Sequence, residues 1–254
     1  MNIGIIGAGA IAQFLLQQQS TLYSVKALLV TNKEKYSALA EQYGVTLHTE
    51  LSTFLREPIE LVVEAATIEA VERTLPTVLR QKPAIVISVG AFANETFYDE
   101  VLQISTETRH KIYCPAGAIG GLDLLQNAHA LGTVEHVSLK TVKPAQSLTD
   151  EVLHEAAVIF EGTAREAIAR YPKNMNVSIM LALGALSFDN TFVQLIADPH
   201  ATTNAHTIHI RGTFGEATMT VNNEPLPTNP KTSYLAAMSI IGTLQRIISP
   251  IQLA

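Results

Sequence analysis

The feature that most constrains this chain is its opening, Asn2-Ile3-Gly4-Ile5-Ile6 followed at once by Gly7-Ala8-Gly9-Ala10-Ile11-Ala12. The first five residues fit a short buried strand, and the stretch from Ala10 to about Gln19 keeps helical spacing. Between them lies a turn of the form G-x-G-x-x-A, whose three small residues do different things. Gly7 permits a tight turn, Gly9 lets a pyrophosphate approach the backbone, and Ala12 lets helix and strand pack closely. The first helical amides, at Ala10 and Ile11, then present free N–H groups and the positive end of the helix dipole to an anion. A tight turn that binds nothing would have the same residues, so context decides between the two.

That context is an alternating pattern. Val25 to Val30, Val45 to His48, Ile59 to Glu64, Ala84 to Val89 and Lys111 to Cys114 read as strands. Lys33 to Tyr43 (closed by Gly44), Thr67 to Arg80 and Asn94 to Thr108 read as the helices between them. Such alternation predicts a Rossmann-type, doubly wound parallel sheet over residues 1–115. Beyond about Gly132 the pattern changes. His136 to Val142 reads as a strand, and helices are expected at about Asp150 to Phe160, Thr163 to Arg170 and Met175 to Leu186. Phe192 to Ile196, Ala205 to Arg211 and Ala217 to Val221 then have the spacing of a meander. Residues 116–231 are expected to form an α+β domain with a mixed or antiparallel sheet, and 232–254 a C-terminal amphipathic helix.

Composition narrows the partners. The net charge is −6 and no run of Lys or Arg occurs, which argues against nucleic acid. The longest later apolar run, Val177 to Phe188, is too short to span a bilayer, and the glycine-interrupted N-terminus lacks the basic start of a secretory leader. With Cys114 as the one cysteine, no intrachain disulfide can form, and a cytoplasmic location is expected. Cys114 itself reads as a buried thiol with nothing nearby to activate it. The final amphipathic helix and the apolar, acidic composition suggest a homodimer.

The second strand bears on which dinucleotide is used. It ends Leu29-Val30-Thr31-Asn32-Lys33, without the carboxylate that would accept from a ribose 2′-hydroxyl. Asn32 or Lys33 could instead meet a 2′-phosphate, so NADP is expected to be accepted alongside NAD.

The densest chemistry lies in Ala197 to Gly212, where His200, His206 and His209 fall close together. A metal site would need them to converge. In a strand from Ala205 to Arg211, His206 shares a face with Ile208 and Ile210 while His209 points away with Arg211, so no metal is expected. His206 on its own reads either as a satisfied core histidine or as an acid/base.

Seven segments in order then carry a resemblance: the glycine turn, Glu64 to Thr67, Ile87 to Phe92, Pro115 to Asp123, Glu161 to Ile168, Tyr171 to Val177 and Ala197 to Ile208. Together they resemble the L-aspartate dehydrogenase family of two-domain NAD(P)-dependent oxidoreductases. The resemblance implies oxidation of L-aspartate to iminosuccinate, an entry to pyridine-nucleotide biosynthesis. It also implies that His206 is the active-site imidazole and that Ala118 and Asn176 contact the cofactor, with the second half folded back so that His206 faces the nicotinamide. Ala116 stands where the family commonly has serine. Two carboxylates need cations or amides, and Lys173, beside Asn176, is the first candidate. The helix start at Gly162-Thr163-Ala164, with the Thr163 hydroxyl, is the second, ahead of Arg165 and Arg211. Two other readings share the first half: another two-domain reductase, akin to dihydrodipicolinate reductase or homoserine dehydrogenase, and a dinucleotide sensor without turnover.

Overall fold

A computed structural model describes residues 1–171, 175–184 and 187–251. The chain divides into two compact units, one of Met1–Pro115 with Ala237–Leu253 and the other centred on Ala116–Ala236.

The first unit alternates strand and helix: β1 (Asn2–Ile6), α1 (Ala10–Gln17), β2 (Ser24–Leu29), α2 (Lys33–Tyr43), β3 (Thr46–His48) and α3 (Leu51–Phe54). It continues with β4 (Leu61–Glu64), α4 (Ile68–Leu79), β5 (Ala84–Val86), α5 (Glu95–Thr108) and β6 (Ile112–Tyr113). All six strands are parallel, in the order β3-β2-β1-β4-β5-β6. The order reverses beside β1, so the carboxyl ends of β1 and β4 open the crevice where such sheets bind ligands. Parallel strands are covered on both faces, and β4 shows the consequence: all four of its residues, Leu-Val-Val-Glu, are buried. Ile3, Ile5, Leu28, Val63 and Ile85 form the middle of this core.

The second unit begins with α6 (Leu122–Ala130) and β7 (Val134–Pro144), followed by β8 (Ala157–Thr163), α7 (Ala164–Arg170) and α8 (Asn176–Gly184). Then come β9 (Thr191–Asp198), β10 (Asn204–Gly212), β11 (Gly215–Asn223) and a small hairpin of β12 (Pro225–Leu226) and β13 (Asn229–Ser233). Its main sheet runs β11-β10-β7-β9-β8, with β7 and β9 parallel and the other neighbours antiparallel. One face is buried: Val137, Leu139 and Thr141 of β7, Val193, Leu195 and Ala197 of β9, and His206, Ile208 and Ile210 of β10.

Two expectations are corrected here. The helix expected over Asp150 to Phe160 is absent; the chain instead enters β8 at Ala157, where pairing with β9 overrides a spacing that suits either period. The strands β9, β10 and β11 are not a simple meander, because β9 lies between β7 and β8 while β10 and β11 pair as a hairpin. The final helix, α9 (Tyr234–Ile248), forms as expected and sinks Ile240 and Leu244 into the core of the first unit.

Candidate active site

At the glycine turn the backbone dictates sequence. Gly7 has φ of 102° and its N–H donates to the Leu29 carbonyl at 2.9 Å. A Cβ there would lie 2.6 Å from the Ala65 carbonyl oxygen, so only glycine fits. Gly9 is different. Its φ of −75° suits any residue, and a Cβ added to it would meet nothing within 4 Å. Among the described residues nothing asks for glycine at this position, whereas a phosphate group approaching the turn would. The helix that follows is open in the same way. Asn32, Thr67 and Asn94 cap α2, α4 and α5 with side-chain oxygens, but α1 begins without a side-chain cap and without an acidic residue in its first turn. The amides at Ala10 and Ile11 are thus placed to accept an anion, and the residues present fit a dinucleotide.

At the sheet's carboxyl edge Glu64 is 3% exposed and accepts from the Ala66 N–H at 2.7 Å, the Ser88 N–H at 3.0 Å and the Ser88 hydroxyl at 2.8 Å. It ties together the loops that follow β4 and β5. Burial pushes its pKa up, against the pull of these donors. Asn32 is exposed and uses its carboxamide oxygen to cap α2, accepting from the Lys35 N–H at 3.0 Å. The Cys114 thiol is pushed up to about 12 by burial, so it holds no thiolate near neutral pH.

In the second unit His206 is 5% exposed on the inner face of β10, directly opposite Thr141 of β7. Its Nδ1 is 3.0 Å from the Thr141 hydroxyl, a pairing that orients the ring. Burial, and then the charge of Lys143, lower its pKa to about 4. The imidazole is therefore neutral at physiological pH and able to take a proton. Lys143, two residues beyond Thr141 on the same strand, also has its pKa lowered by burial. Neither Thr141 nor Lys143 stood out in the sequence; the signal that finds them is the register of β7 against β10.

The other two histidines are elsewhere. His209 lies on the outer face, its Nδ1 3.0 Å from the Thr218 hydroxyl and its ring 5.9 Å from that of His136. His200 is exposed in the turn after β9, where its N–H donates to the Asp198 carboxylate at 2.8 Å. Among the described residues no group of His, Cys, Asp and Glu could hold a metal ion.

The remaining expected residues are scattered. Ala118 is buried and its carbonyl accepts from the Asn223 carboxamide at 3.1 Å. Asn176 is exposed at the start of α8, and Lys173 lies outside the described residues. Thr163 is closed on its own helix start. Its N–H and hydroxyl both bind the Glu166 carboxylate, at 2.8 Å and 3.0 Å, and its hydroxyl accepts from the Glu166 N–H, forming a capping box. The seat expected for a substrate carboxylate is filled by the chain's own acid. Arg165 pairs with Asp189 at 2.6 Å, and Arg211 lies 3.9 Å from Glu135, both in exposed positions.

The strand order and the open glycine turn make the first unit a dinucleotide-binding domain of the Rossmann type. Residues 3–115 match the family described as the NAD-binding domain of homoserine dehydrogenase, and residues 123–247 match the C-terminal domain of aspartate dehydrogenase. The L-aspartate dehydrogenase of Methanococcus maripaludis is 35% identical, with 100% of this chain and 99% of that protein aligned. That of Methanococcoides burtonii is 38% identical over 99% of this chain and 98% of its own length. The crystal structure of aspartate dehydrogenase from Thermotoga maritima superposes with a TM-score of 0.81 at 28% identity, covering 100% of this chain and 99% of that one. The chain belongs to the aspartate dehydrogenase family.

Proposed function

We infer that this protein is an NAD(P)-dependent L-aspartate dehydrogenase, converting L-aspartate to iminosuccinate and so serving pyridine-nucleotide biosynthesis. The observation that carries the reading is the buried, neutral His206, oriented by Thr141, in a unit of aspartate dehydrogenase sequence. Gly7, Gly9, Ala10 and Ile11 would hold the pyrophosphate, and Ala118 and Asn176 are proposed as further cofactor contacts. When bound, the nicotinamide supplies a hydride acceptor. The protein's own task is to remove a proton from the substrate ammonium and to hold two carboxylates. In the tautomer whose Nδ1–H donates to the Thr141 hydroxyl, the Nε2 atom of His206 is the base. Lys173 is kept as one carboxylate partner. Thr163 is kept as the other, with the substrate taking the place of the Glu166 carboxylate on its N–H and hydroxyl.

NADP is proposed to be accepted as well as NAD, since β2 is followed by Val30-Thr31-Asn32-Lys33 with no acid before Glu34. A cytoplasmic location fits the free Cys114. A homodimer stays part of the reading. Its surface is sought on the exposed apolar side chains of α9, where Met238 is 47% exposed, and on the outer sheet face, where Val158 and Phe192 are 54% and 51% exposed; sedimentation velocity measures the assembly.

The test is the absorbance of the nicotinamide band with L-aspartate and either dinucleotide, beside oxaloacetate plus ammonia in reverse and a panel of other amino and keto acids. Turnover confined to the aspartate couple is expected. Turnover of another substrate would make the protein a different reductase, dinucleotide binding without turnover would make it a sensor, and a kcat/KM ratio strongly favouring NAD would remove the NADP proposal.

A further inference from the structure

Strand β4 is apolar until its last residue, and that residue is an acid. Glu64 stands beside Ile6 of β1 and Val86 of β5 at the carboxyl edge of the sheet, where it is 3% exposed. A carboxyl group in such a place is costly unless donors surround it. The donors come from two loops. The Ala66 N–H, at 2.7 Å, belongs to the loop after β4, and the Ser88 N–H at 3.0 Å and hydroxyl at 2.8 Å belong to the loop after β5. The acid is not needed to cap α4, since the Thr67 hydroxyl does so by accepting from the Ala70 N–H at 3.2 Å. The Ser88 hydroxyl, spent on Glu64, does not cap the helical turn Val89–Ala93 that follows it. Among the described residues no charged side chain contributes to the acidity of Glu64. Above the buried carboxyl, Ala66 and Thr67 are exposed. The bonding capacity of this acid goes into fixing the two loops against each other.

We propose that Glu64 is a positioning residue for the nicotinamide half of the dinucleotide, clamping the loops after β4 and β5 into the shape that receives it. This rests on the reading of the first unit as a dinucleotide-binding domain. In a doubly wound sheet of this order each half takes one mononucleotide, and the half that carries the glycine turn takes the adenosine ribose after its second strand. That half is β1, β2 and β3, so β4, β5 and β6 are left for the mononucleotide that bears the nicotinamide. The glycine turn does not depend on the clamp. The Ala65 carbonyl that packs against Gly7 is held by the strand ladder, through the Ala65 N–H donating to the Ile6 carbonyl at 2.9 Å. An ionised carboxylate has acceptor sites enough for all the loop donors, whereas glutamine keeps one acceptor oxygen and turns an NH2 toward the rest.

The experiment measures by calorimetry the Kd of NADH and the Kd of ADP, which carries the adenosine half and the two phosphates alone. Wild type, Glu64→Gln and Ser88→Ala are compared at a temperature where circular dichroism shows each of them folded. In Glu64→Gln the Kd of NADH should rise about 30-fold, the scale of hydrogen bonds to a charged group, while that of ADP stays within about twofold. Ser88→Ala removes one donor and leaves the acid in place, so NADH should weaken about fivefold and ADP again stay within about twofold. This milder variant carries the comparison should Glu64→Gln fail to fold. Equal weakening of ADP and NADH would mean that the acid supports the glycine turn. NADH binding within about twofold of wild type in every variant that folds would mean that it only closes the edge of the sheet. Either result overturns the proposal. A wild type that binds neither nucleotide would defeat the dinucleotide reading itself. Absence of aspartate turnover would leave the comparison standing, because it reads binding alone.

Discussion

At the glycine turn the working groups are backbone amides, and six consecutive residues, Gly7 to Ala12, supply them. At the imidazole site they are side chains, and the pair that defines it, Thr141 and His206, is separated by 65 residues and joined only through the register of β7 on β10. The first site is open in the sense that its helix start has no side-chain cap among the described residues. The second is closed, with a buried ring whose hydrogen bond is already made. On the proposed function the contrast divides their tasks: the turn would receive a phosphate, while the imidazole is held in one orientation.

The largest expected effect tests the charge state of the ring through stability. Above about pH 6.5 a histidine is neutral in the unfolded chain as well, so burying His206 costs nothing in protonation. As pH falls from there to about 4, the unfolded chain takes up a proton that the folded one refuses. The unfolded state then binds more protons, and the free energy of unfolding falls with pH. The full window is worth about 3 kcal/mol. Chemical denaturation between pH 7 and 4 should show this loss in wild type and lack it in His206→Asn. Taking the difference removes the contribution of His136, whose pKa is also lowered, by burial and then by His209 and Arg211. Parallel profiles for the two proteins would mean that the ring is not held neutral.

Second comes turnover. His206→Ala should lower kcat by about 100-fold or more, the usual scale of general acid–base catalysis, with the dinucleotide Kd unchanged because the glycine turn is untouched. Near wild-type turnover would reduce His206 to a core residue, and a weakened cofactor would show that the two regions do not act separately.

The same contrast explains what could be read in advance. The first unit was legible almost strand by strand, because buried parallel strands, capped helices and a glycine turn are written locally. His206 was legible through Ala205 to Arg211, since strand alternation alone separates it from His209. Thr141 and Lys143 were not, because a threonine and a lysine in a strand carry no signal until the partner strand is known. The closure of Thr163 by Glu166 was illegible for a related reason. A helix start with a free hydroxyl and one already closed by Glu166 differ only in the rotamers of the two side chains. The segment before β8 failed because Val152, Leu153, Ala156, Ile159 and Phe160 fit helical spacing, and pairing with β9 decided otherwise.

The smallest effect separates two glycines that look alike in sequence. At Gly7 the backbone angle and the Ala65 carbonyl both exclude a side chain, so any substitution there damages the fold. Gly9→Ser should do the opposite. The backbone at Gly9 is already that of an ordinary N-cap, its Cβ would stand in open space, and serine caps a helix better than glycine while restricting the unfolded chain. Thermal denaturation without ligand should therefore show a gain of about 0.5–1 kcal/mol. The same hydroxyl would occupy the amides of α1, and the dinucleotide Kd should rise by about tenfold. A protein made both more stable and worse at holding its cofactor would locate the reason for this glycine in the ligand. A loss of stability with unchanged affinity would return it to the fold.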